Sequence, residues 1–492
     1  MAGGEMATVV VLGAGVSGHT TALHLKRMLG REHKVLVVSP NSHWNWIPSN
    51  IWVGTGRMNK KDVVFPLAPI YKRKGIEFHQ ARGSVIHPEG DEGDARPYVE
   101  IVYTDPKRKG EEGRLHYDYL VNATGPRLNF GATPGLGPDG GYTVSVCTAE
   151  HAVEANEKLM ESIEKMKKGE PQTLVIGMGA GNCTCEGAAF EYAFNVDHEL
   201  KRHGVRDKAD LIYLTNEYEL GDFGVGGMQF VERGFKQSSK MWTESIFTER
   251  GVASVLGAGC KEITEDTIKY EVVDDDKTYE IKYDFAMLLP PFTGQPLSAV
   301  DKKGEPIEDI FNPANFMKVD GNYTSKSYDE WLATDWPEKY EVPQYPNVFA
   351  VGIAFAPPHA ISKPRASALG TPIAPAPPRT GMPSGVMGKT VALTIRDRIK
   401  KGPSAPAHEA SMARLGAVCV ASAGNGFLTG SAASMAMYPV VQNHQKYPQT
   451  AGRNPKLTTG KIGLSGHWMK TMLHYLFIYK AKALPGWSLI PE

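Results

Sequence analysis

Short apolar runs that end at glycine recur along this chain. The first is Ala7–Leu12, and it precedes a helix predicted over 19–29 and a strand predicted over 34–39. These strands are apolar at successive positions, as in parallel sheets that are covered on both faces. The pattern therefore predicts a strand–turn–helix–strand unit at the start of the chain.

The same pattern returns in the middle of the chain. A strand from Gln172 leads into a second glycine-rich turn, and a helix over Glu186–Arg202 and a strand over Asp210–Leu214 follow it. Tyr119–Gly125 and Asn347–Ile353 are two more buried strands that end at glycine. This order predicts an α/β fold with two Rossmann-like dinucleotide-binding domains plus a C-terminal membrane-contacting helical region.

We expect the first Rossmann-like domain to be discontinuous, over 1–167 and 295–405, with the second over 168–294 and the C-terminal region over 406–492. A length of 492 residues fits roughly three domains. Lys+Arg and Asp+Glu are both 54, which gives no reason to expect a nucleic-acid partner. We expect neither a signal peptide nor a transmembrane helix, because no run of 18 apolar residues occurs.

The first glycine-rich turn has the spacing of a dinucleotide-binding motif. Gly13 permits the tight turn, Gly15 lets the backbone approach a pyrophosphate, and Gly18 lets the helix pack on the strand. The second strand ends without the usual acidic residue, so Ser39, Asn41 or water must contact the ribose. We therefore predict dinucleotide binding here.

Two further strand ends are candidate cofactor contacts. Ala123, Thr124 and Gly125 form a strand end that can approach a bound dinucleotide closely. At Gly352 and Ile353 many two-dinucleotide flavoproteins have Gly-Asp, so a backbone amide must replace the Asp here. Both positions suggest a flavin rather than a free nucleotide.

The second glycine-rich turn departs from the motif. Asn182 stands where the third glycine belongs, although Glu217 could still contact a ribose. The alternatives are binding of NAD(P)H and an inherited fold without nucleotide. We favour the second, because Cys185 occupies the start of the helix.

Five cysteines are too few for a secreted disulfide scaffold. Cys185 and Cys147 lie at predicted helix starts, where the helix dipole favours a thiolate, and Cys183 is slightly less well placed. Cys419 follows an apolar run and precedes a turn, whereas nothing around Cys260 suggests redox chemistry. The competing interpretation of each is a small buried apolar residue.

The chain resembles the sulfide:quinone oxidoreductases of the flavoprotein disulfide reductase superfamily. The resemblance extends from about Thr8 to near the C-terminus and rests on these segments: 46–56 with its Pro48-Ser-Asn, 144–151, 185–192, 347–353, 379–381 and 417–419. It implies FAD as cofactor, with Arg379, Thr380 and Gly381 among its contacts, and Cys185 and Cys419 as the redox pair. Cys147 matches the third cysteine of the family, and Asp222 stands where a histidine is common.

The resemblance also implies a reaction. Hydrosulfide opens the bridge between the redox pair, Cys419 passes two electrons to FAD, and the flavin reduces a membrane quinone while sulfur leaves as polysulfide. Two rival interpretations remain open at this point. They are a type II NADH:quinone oxidoreductase and a non-enzymatic flavin-binding redox sensor. A flavocytochrome-type sulfide dehydrogenase is a further relative.

The tail over 468–484 predicts an amphipathic helix that lies on a membrane surface, where a quinone substrate is found. The alternative is a helix docked on the protein's own core. We expect Lys470, Lys480 and Lys482 to attract anionic lipid. The proline-rich stretch 354–381 predicts a long ordered loop that walls the quinone cavity or serves as a surface linker. A peripheral protein on the cytoplasmic face is expected, and a homo-oligomer is left open. The candidate quinone or membrane residues are Phe427, Trp468, Leu473, Tyr475, Leu476, Phe477 and Trp487.

Overall fold

The computed structural model describes residues 6–232, 234–376 and 381–492. Helices and strands alternate through most of this range, with two parallel sheets at its centre. The described residues form these α-helices: α1 (Val16–Leu29), α2 (Asn50–Val53), α3 (Lys60–Val63), α4 (Ala68–Lys74), α5 (Ala149–Lys167), α6 (Glu186–Arg202), α7 (Ser239–Arg250), α8 (Met382–Lys401) and α9 (Leu464–Ala481).

The first central sheet combines residues from both ends of the predicted discontinuous domain. Its strands pair in parallel except at one edge, where Glu341–Val342 is antiparallel to its neighbour. The strand order is Glu341–Val342, Tyr345–Ala350, Tyr119–Asn122, Thr8–Leu12, Lys34–Val38 and Glu77–His79. Val9, Val10 and Val11 are fully buried, as expected for a strand covered on both faces.

The second central sheet is fully parallel. Its order is Ala253–Val255, Ala209–Leu214, Gln172–Met178 and Phe285–Leu289. Every residue of the strand Phe285–Leu289 is buried. α6 packs on this sheet and begins close to the end of the strand Gln172–Met178. The carboxyl ends of these strands therefore lie beside the second glycine-rich turn.

The remaining sheets are antiparallel, except that Ser298–Ala299 pairs in parallel with Ala81–His87. One three-stranded sheet contains Ala258–Ile263, Thr267–Val272 and Thr278–Lys282, and a four-stranded sheet contains Ser298–Ala299, Ala81–His87, Tyr98–Tyr103 and Glu112–His116. The two-stranded pairs are His43–Asn45 with Val64–Pro66, Pro126–Leu128 with Phe292–Gly294, Gln229–Glu232 with Phe235–Ser238, and Arg365–Ala366 with Pro372–Ile373.

The C-terminal region contains a sheet that the sequence patterns did not predict. Ala417–Ser422, Ala432–Met437 and Thr459–Gly463 pair antiparallel, and α9 packs on the first two of them. This sheet borders the same buried apolar cluster as α5 and α6. No helix among residues 6–232, 234–376 and 381–492 has the length and apolar character needed to cross a bilayer.

Helix α9 turns its polar side toward the protein and its aromatic side outward, whereas a basic surface helix would expose its polar side. Its polar residues His467, Lys470 and His474 are buried, whereas Trp468, Met472 and Tyr475 are exposed. The expectation that Lys470 and Lys480 attract lipid was therefore wrong. Both lysines are inside, because each has a buried carboxylate partner, Glu191 and Glu492 respectively.

Candidate active site

The first glycine-rich turn is shaped for a close approach. Gly13 has φ +98°, and a Cβ there would overlap the carbonyl oxygen of Ala123. At Gly15, by contrast, a Cβ would meet no atom of the described chain within 4 Å. Because Gly15 has no side chain, the backbone at the start of α1 leaves an open space. This space fits the pyrophosphate of a dinucleotide.

Two other predicted cofactor contacts share this openness. Gly125 and Gly381 have φ +70° and φ +62°, and a Cβ on either would meet nothing within 4 Å among the described residues. Gly381 is also the N-cap of α8, so free backbone N–H groups begin there. Gly15, Gly125 and Gly381 together fit a backbone-lined cofactor cleft.

The remaining predicted contacts differ in exposure. Ala123 and Gly352 are buried, Thr124, Ile353 and Pro48 are half-buried, and Asn41 is exposed. Ser39 is buried at the end of the strand Lys34–Val38, and its hydroxyl accepts the Asn41 backbone N–H at 3.3 Å. The Thr124 hydroxyl donates to Asn122 at 2.8 Å. Arg379 and Thr380 lie outside the described residues.

The second glycine-rich turn is filled by the chain itself. A Cβ on Gly181 would overlap the carbonyl oxygen of Pro372. The Ala374 N–H donates to the Gly181 carbonyl at 2.8 Å, and the Ala376 N–H donates to the Cys183 carbonyl at 2.9 Å. The proline-rich stretch therefore lies in the place where a nucleotide would approach this turn, and here it is not a surface linker.

Glu217 does not offer its carboxylate to a ribose. The side chain is 1% exposed and accepts hydrogen bonds from Tyr213 Oη and Thr215 Oγ1, both at 2.9 Å, and from the Phe223 N–H at 2.7 Å. Burial is the largest cause that raises the pKa of Glu217 to about 7. The expectation that Glu217 could still receive a ribose was therefore wrong, since the strand end turns the carboxylate inward.

Three cysteines border one buried apolar cluster. Cys147 lies in the loop before α5, Cys185 is the N-cap of α6, and Cys419 lies in the strand Ala417–Ser422. A Cβ on Gly187, in the first turn of α6, would lie 3.8 Å from Cys419 Sγ. Cys147 and Cys419 both interact electrostatically with Cys185. All three thiols are free.

The helix start does not lower the pKa of Cys185, contrary to the expectation from the dipole. Burial raises the pKa of this thiol to about 12, and the adjacent Glu186 raises it further. The backbone of Cys185 is also left-handed, at φ +74°. A non-glycine residue in this conformation is uncommon and is typical of a functional position.

Burial also raises the pKa values of the other two thiols. Those of Cys147 and Cys419 rise to about 11, so Cys147 does not gain the thiolate character expected of a helix start. At Cys419, Lys470 opposes the effect of burial and Glu191 adds to it. Lys470 is therefore the residue that favours a thiolate on Cys419.

A buried polar network that the sequence did not point to lies beside Cys419. Lys470 Nζ pairs with Glu191 Oε2 at 3.0 Å, and Glu191 Oε1 accepts the Ser422 hydroxyl at 2.6 Å. Trp52 Nε1 donates to the same hydroxyl at 2.8 Å. Glu191 falls within the 185–192 segment of the resemblance, yet only the fold shows its partner on α9.

The other two cysteines are bound to backbone carbonyls: Cys183 lies within the same buried cluster, and Cys260 lies in a separate one. Cys183 is fully buried, and its thiol donates to the Leu289 carbonyl at 3.1 Å. Cys260 is 6% exposed and donates to the Met178 carbonyl at 3.3 Å. Both thiols are occupied by backbone acceptors of the second parallel sheet.

An apolar pocket brings together three residues that the sequence assigned to different sites. Gly381, Phe477 and Trp487 line it, with Trp44, Trp46 and Met382 among the other walls. Phe477 stacks on Trp46 with ring centroids 5.1 Å apart. Trp487 is 6% exposed and packs beside His24 inside the protein, so it offers no surface to a membrane, whereas its expected role toward quinone stays a prediction.

The other candidate membrane residues divide by exposure. Phe427, Trp468 and Tyr475 are exposed, and Phe427 stacks on Trp468 with centroids 5.5 Å apart. Leu473 and Leu476 are half-buried. The exposed apolar surface of α9 is thus narrower than the tail sequence suggested.

Comparison with known proteins assigns the family. The model for pyridine nucleotide-disulphide oxidoreductases matches residues 7–290. The sulfide-quinone reductase of Aquifex aeolicus is 30% identical over 478 residues, which cover 96% of this chain and 91% of that protein.

The chain belongs to the sulfide-quinone reductase family.

Solved structures agree with this assignment. The X-ray structure of the Aquifex aeolicus sulfide:quinone oxidoreductase matches with a TM-score of 0.75 and 29% identity, over 97% of this chain and 92% of that one. A Plasmodium falciparum NDH2 structure matches with a TM-score of 0.62 and 12% identity, over 97% and 96% of the two chains, and shares the fold alone. FAD is the cofactor of this family, and the open turn at Gly15 fits it.

Proposed function

We propose that this sulfide-quinone reductase family member oxidises sulfide to polysulfide through Cys185 and Cys419 and passes the electrons to quinone. The observation that carries the proposal is the convergence of Cys147, Cys185 and Cys419 on one buried cluster. These residues are distant in sequence, and a core that needed only small apolar side chains has no reason to gather thiols at this place. Thiol–disulfide exchange requires such proximity.

The reaction begins at a sulfur–sulfur bridge between Cys185 and Cys419. Hydrosulfide attacks the Cys185 sulfur, the bridge bond breaks, and the electron pair stays on Cys419; the products are a persulfide on Cys185 and a thiolate on Cys419. Lys470 lies close enough to lower the pKa of Cys419, so it stabilises that thiolate. The Lys470–Glu191 ion pair holds the ammonium group in position.

Bound FAD supplies the two-electron chemistry between sulfur and quinone. Gly15, Gly125 and Gly381 would hold it through backbone contacts. The Cys147 thiol attacks the outer sulfur of the persulfide on Cys185, the sulfur–sulfur bond to Cys185 breaks, and the Cys147 proton passes to the Cys185 sulfur. The products are a persulfide on Cys147 and a thiol on Cys185, which can form the bridge with Cys419 again. This role uses the electrostatic contact between the two cysteines.

The closed second turn opposes the rival NADH reaction. A nicotinamide nucleotide would need the space that Pro372 and Ala374 occupy, and it would need Glu217, which already has three donors. The redox-sensor alternative predicts no catalytic turnover. The NADH rival therefore differs from the proposal in the electron donor, and the sensor rival differs in that no electrons reach quinone.

The decisive experiment is anaerobic titration of the purified flavoprotein, following the flavin spectrum. Sulfide should bleach the oxidised flavin band, whereas NADH should leave it unchanged, and a soluble quinone should restore it. Bleaching by NADH would support the type II dehydrogenase. Bleaching by sulfide without restoration by quinone would support the sensor.

We further propose that the exposed residues of α9 rest on a membrane surface. Trp468, Met472 and Tyr475 project outward, and Phe427 with Leu428 extends the same patch beside Trp468. Such a patch of large apolar and aromatic side chains is typical of an interfacial contact.

Vesicle sedimentation tests the membrane contact. Trp468→Gln combined with Met472→Gln should weaken binding to phosphatidylcholine vesicles about tenfold or more, because partial burial of each side chain is lost. Leu369→Gln, at an equally exposed loop residue away from α9, is the matched control. Since Lys470 and Lys480 are buried, added salt should release little protein. Unchanged binding of the double variant would refute the contact.

A further inference from the structure

One buried carboxyl group, Glu186, lies beside Cys185, and two more, Glu217 and Asp222, interact with Glu186. Glu186 is 0% exposed, Glu217 is 1% exposed and Asp222 is 7% exposed. Two of them have ordinary partners. Glu217 has the three donors described above, and Asp222 accepts the Ser362 hydroxyl at 2.8 Å and the Gly224 N–H at 3.0 Å.

Glu186 differs from its two neighbours. Neither of its carboxyl oxygens has a hydrogen-bond donor among the described residues, although the side chain is fully buried. A carboxylate in that position would be an unpaired buried charge, which is strongly unfavourable. Burial and then the nearby Glu217 raise the pKa of Glu186 well above its ordinary value. The group is therefore a neutral carboxylic acid.

Asn216 is a buried polar side chain that interacts with Glu186. Its Nδ2 donates to the carbonyls of Gly181 and Cys183, at 3.1 and 3.2 Å. Its interaction with Glu186 lowers the pKa of the carboxyl group, but burial and the nearby Glu217 act in the opposite direction and outweigh it. Glu186 therefore keeps its proton beside Asn216.

We propose that Glu186 is the proton donor for sulfur on Cys185, an inference that rests on the proposed function. The two residues are consecutive at the start of α6, and their side chains interact electrostatically. The neutral acid also spares the approaching hydrosulfide a repulsive charge. Relatives often have a histidine at the position of Asp222, and this chain lacks it. Glu186, at the start of α6, therefore supplies the proton instead.

The step belongs to product release. Hydrosulfide attacks the sulfur atom that is bonded to Cys185, that sulfur–sulfur bond breaks, and the electron pair remains on the Cys185 sulfur. The Glu186 proton moves to this sulfur, which gives a neutral thiol, a Glu186 carboxylate and a free, neutral hydrogen polysulfide. A thiol with a pKa of about 12 is a poor leaving group as a bare thiolate, so a proton is needed.

The proton returns when the bridge is formed again. The Cys185 thiol and the Cys419 thiolate then join in a sulfur–sulfur bond, the pair gives up two electrons to the flavin that the site would hold, and the Cys185 proton goes back to Glu186. The groups around this pathway are Cys147, Cys183 and Cys419 on the sulfur side, and Glu217, Asp222 and Tyr213 on the carboxyl side. Arg453 is the buried cation that interacts with Asp222.

The test compares Glu186→Gln with Glu199→Gln in the flavin-loaded enzyme. Glu199 is on the same helix and is buried, but it is paired with Arg202 and lies outside the proposed machinery. Glu186→Gln should leave the first reduction of the flavin by sulfide within about twofold of the parent. Steady-state turnover should fall about 100-fold or more, with loss of the solvent deuterium isotope effect. Glu199→Gln should match the parent in both.

Infrared spectroscopy provides a readout independent of turnover. At about pH 9, where Glu217 with its pKa of about 7 is ionised, the resting enzyme should show the carbonyl stretch of a protonated carboxylic acid, which Glu186→Gln removes and Glu199→Gln retains. Parent-like turnover of Glu186→Gln, or an unchanged infrared band, would overturn the role of Glu186 alone. Failure of sulfide to reduce the flavin of the parent enzyme would instead overturn the proposed function, and the infrared result would still report the protonation of Glu186.

Discussion

The two glycine-rich turns of this chain are alike in sequence and opposite in surroundings. At the first turn, a Cβ on Gly15 would meet no described atom within 4 Å. At the second, Gly181 packs against the backbone of Pro372, and Ala374 bonds to the Gly181 carbonyl at 2.8 Å. The first turn can admit a cofactor, and the second is occupied by a distant part of the same chain.

This contrast shows what glycine spacing specifies. It fixes the local path of the backbone from strand to helix, and both turns follow that path. Whether a ligand enters depends on which other segment covers the turn. In the second unit, the proline-rich stretch occupies the space that a nucleotide would need. The helix that follows has Cys185 as its N-cap, which we propose as a redox cysteine.

The largest expected effect tests the chemistry that replaces the nucleotide. Cys185→Ser and Cys419→Ser should each lower sulfide-dependent quinone reduction by on the order of 10³-fold or more, because each removes one half of the exchangeable bridge. Steady-state assays with a soluble quinone measure this. FAD content should stay at the parent level, and near-normal turnover of either variant would exclude it from the bridge.

Filling the open turn should be nearly as damaging, by a different route. Gly15→Leu places a side chain in the space above the turn and should reduce bound FAD to about a tenth or less. The flavin-to-protein absorbance ratio measures the loss. Gly181→Ala is the paired substitution: it strikes the Pro372 carbonyl, so it should lower the melting temperature and leave FAD content unchanged. Equal FAD loss in both variants would contradict the contrast.

Cys147→Ser should have an intermediate effect. We expect turnover to fall several-fold while sulfide still reduces the flavin, because Cys147 adjoins Cys185 without belonging to the bridge. Stopped-flow reduction separates the two steps. Acid precipitation of the parent protein also checks whether this residue tethers FAD: complete release of FAD would leave only the role in sulfur handling.

A smaller effect concerns stability at the closed turn. The folded state raises the pKa of Glu217 from 4.5 to about 7, with burial as the largest cause. A raised carboxyl pKa stabilises the fold below pH 4.5, and that stability is lost as the pH rises through about 7. Denaturant unfolding should therefore show a loss on the order of 3 kcal/mol over this window in the parent that Glu217→Gln lacks. If the parent and Glu217→Gln lost the same stability over this pH window, Glu217 would not be buried in solution.

The smallest effect is expected at Cys260. Cys260→Ser should change turnover by less than about twofold, since a serine hydroxyl can also donate to the Met178 carbonyl. As an internal check, the free energy of unfolding of this variant should decrease by about 1 kcal/mol, because the substitution places a polar group at a buried site. A severe loss of activity would place Cys260 in the redox pathway.

Local pattern was sufficient for the elements around both glycine-rich turns. The strand predicted at Ala7–Leu12 is Thr8–Leu12, and the helix Glu186–Arg202 has the predicted bounds, because glycine turns and apolar runs act over a few residues. Helix α8 begins at Met382, since Gly381 caps it and Pro383 is compatible with a first turn.

Long-range contacts decided the rest. Lys470 and Glu191 are 279 positions apart, so no spacing rule could pair them. The same holds for the closure of Gly181 by Pro372 and for the thiol pKa values, which depend on burial rather than on the helix start alone. The polar stripe His467, Lys470 and His474 was visible in the sequence, but its inward orientation required knowledge of the sheet under α9.

The left-handed backbone of Cys185 has a consequence for how this protein balances stability against activity. Glycine or asparagine suits φ +74° better, and an ordinary side chain there is unfavourable by about 1–2 kcal/mol. The chain therefore holds a residue that weakens its own fold at the start of α6, next to an uncharged buried acid. A screen for thermostable variants should return substitutions at this position readily, and each of them would be inactive.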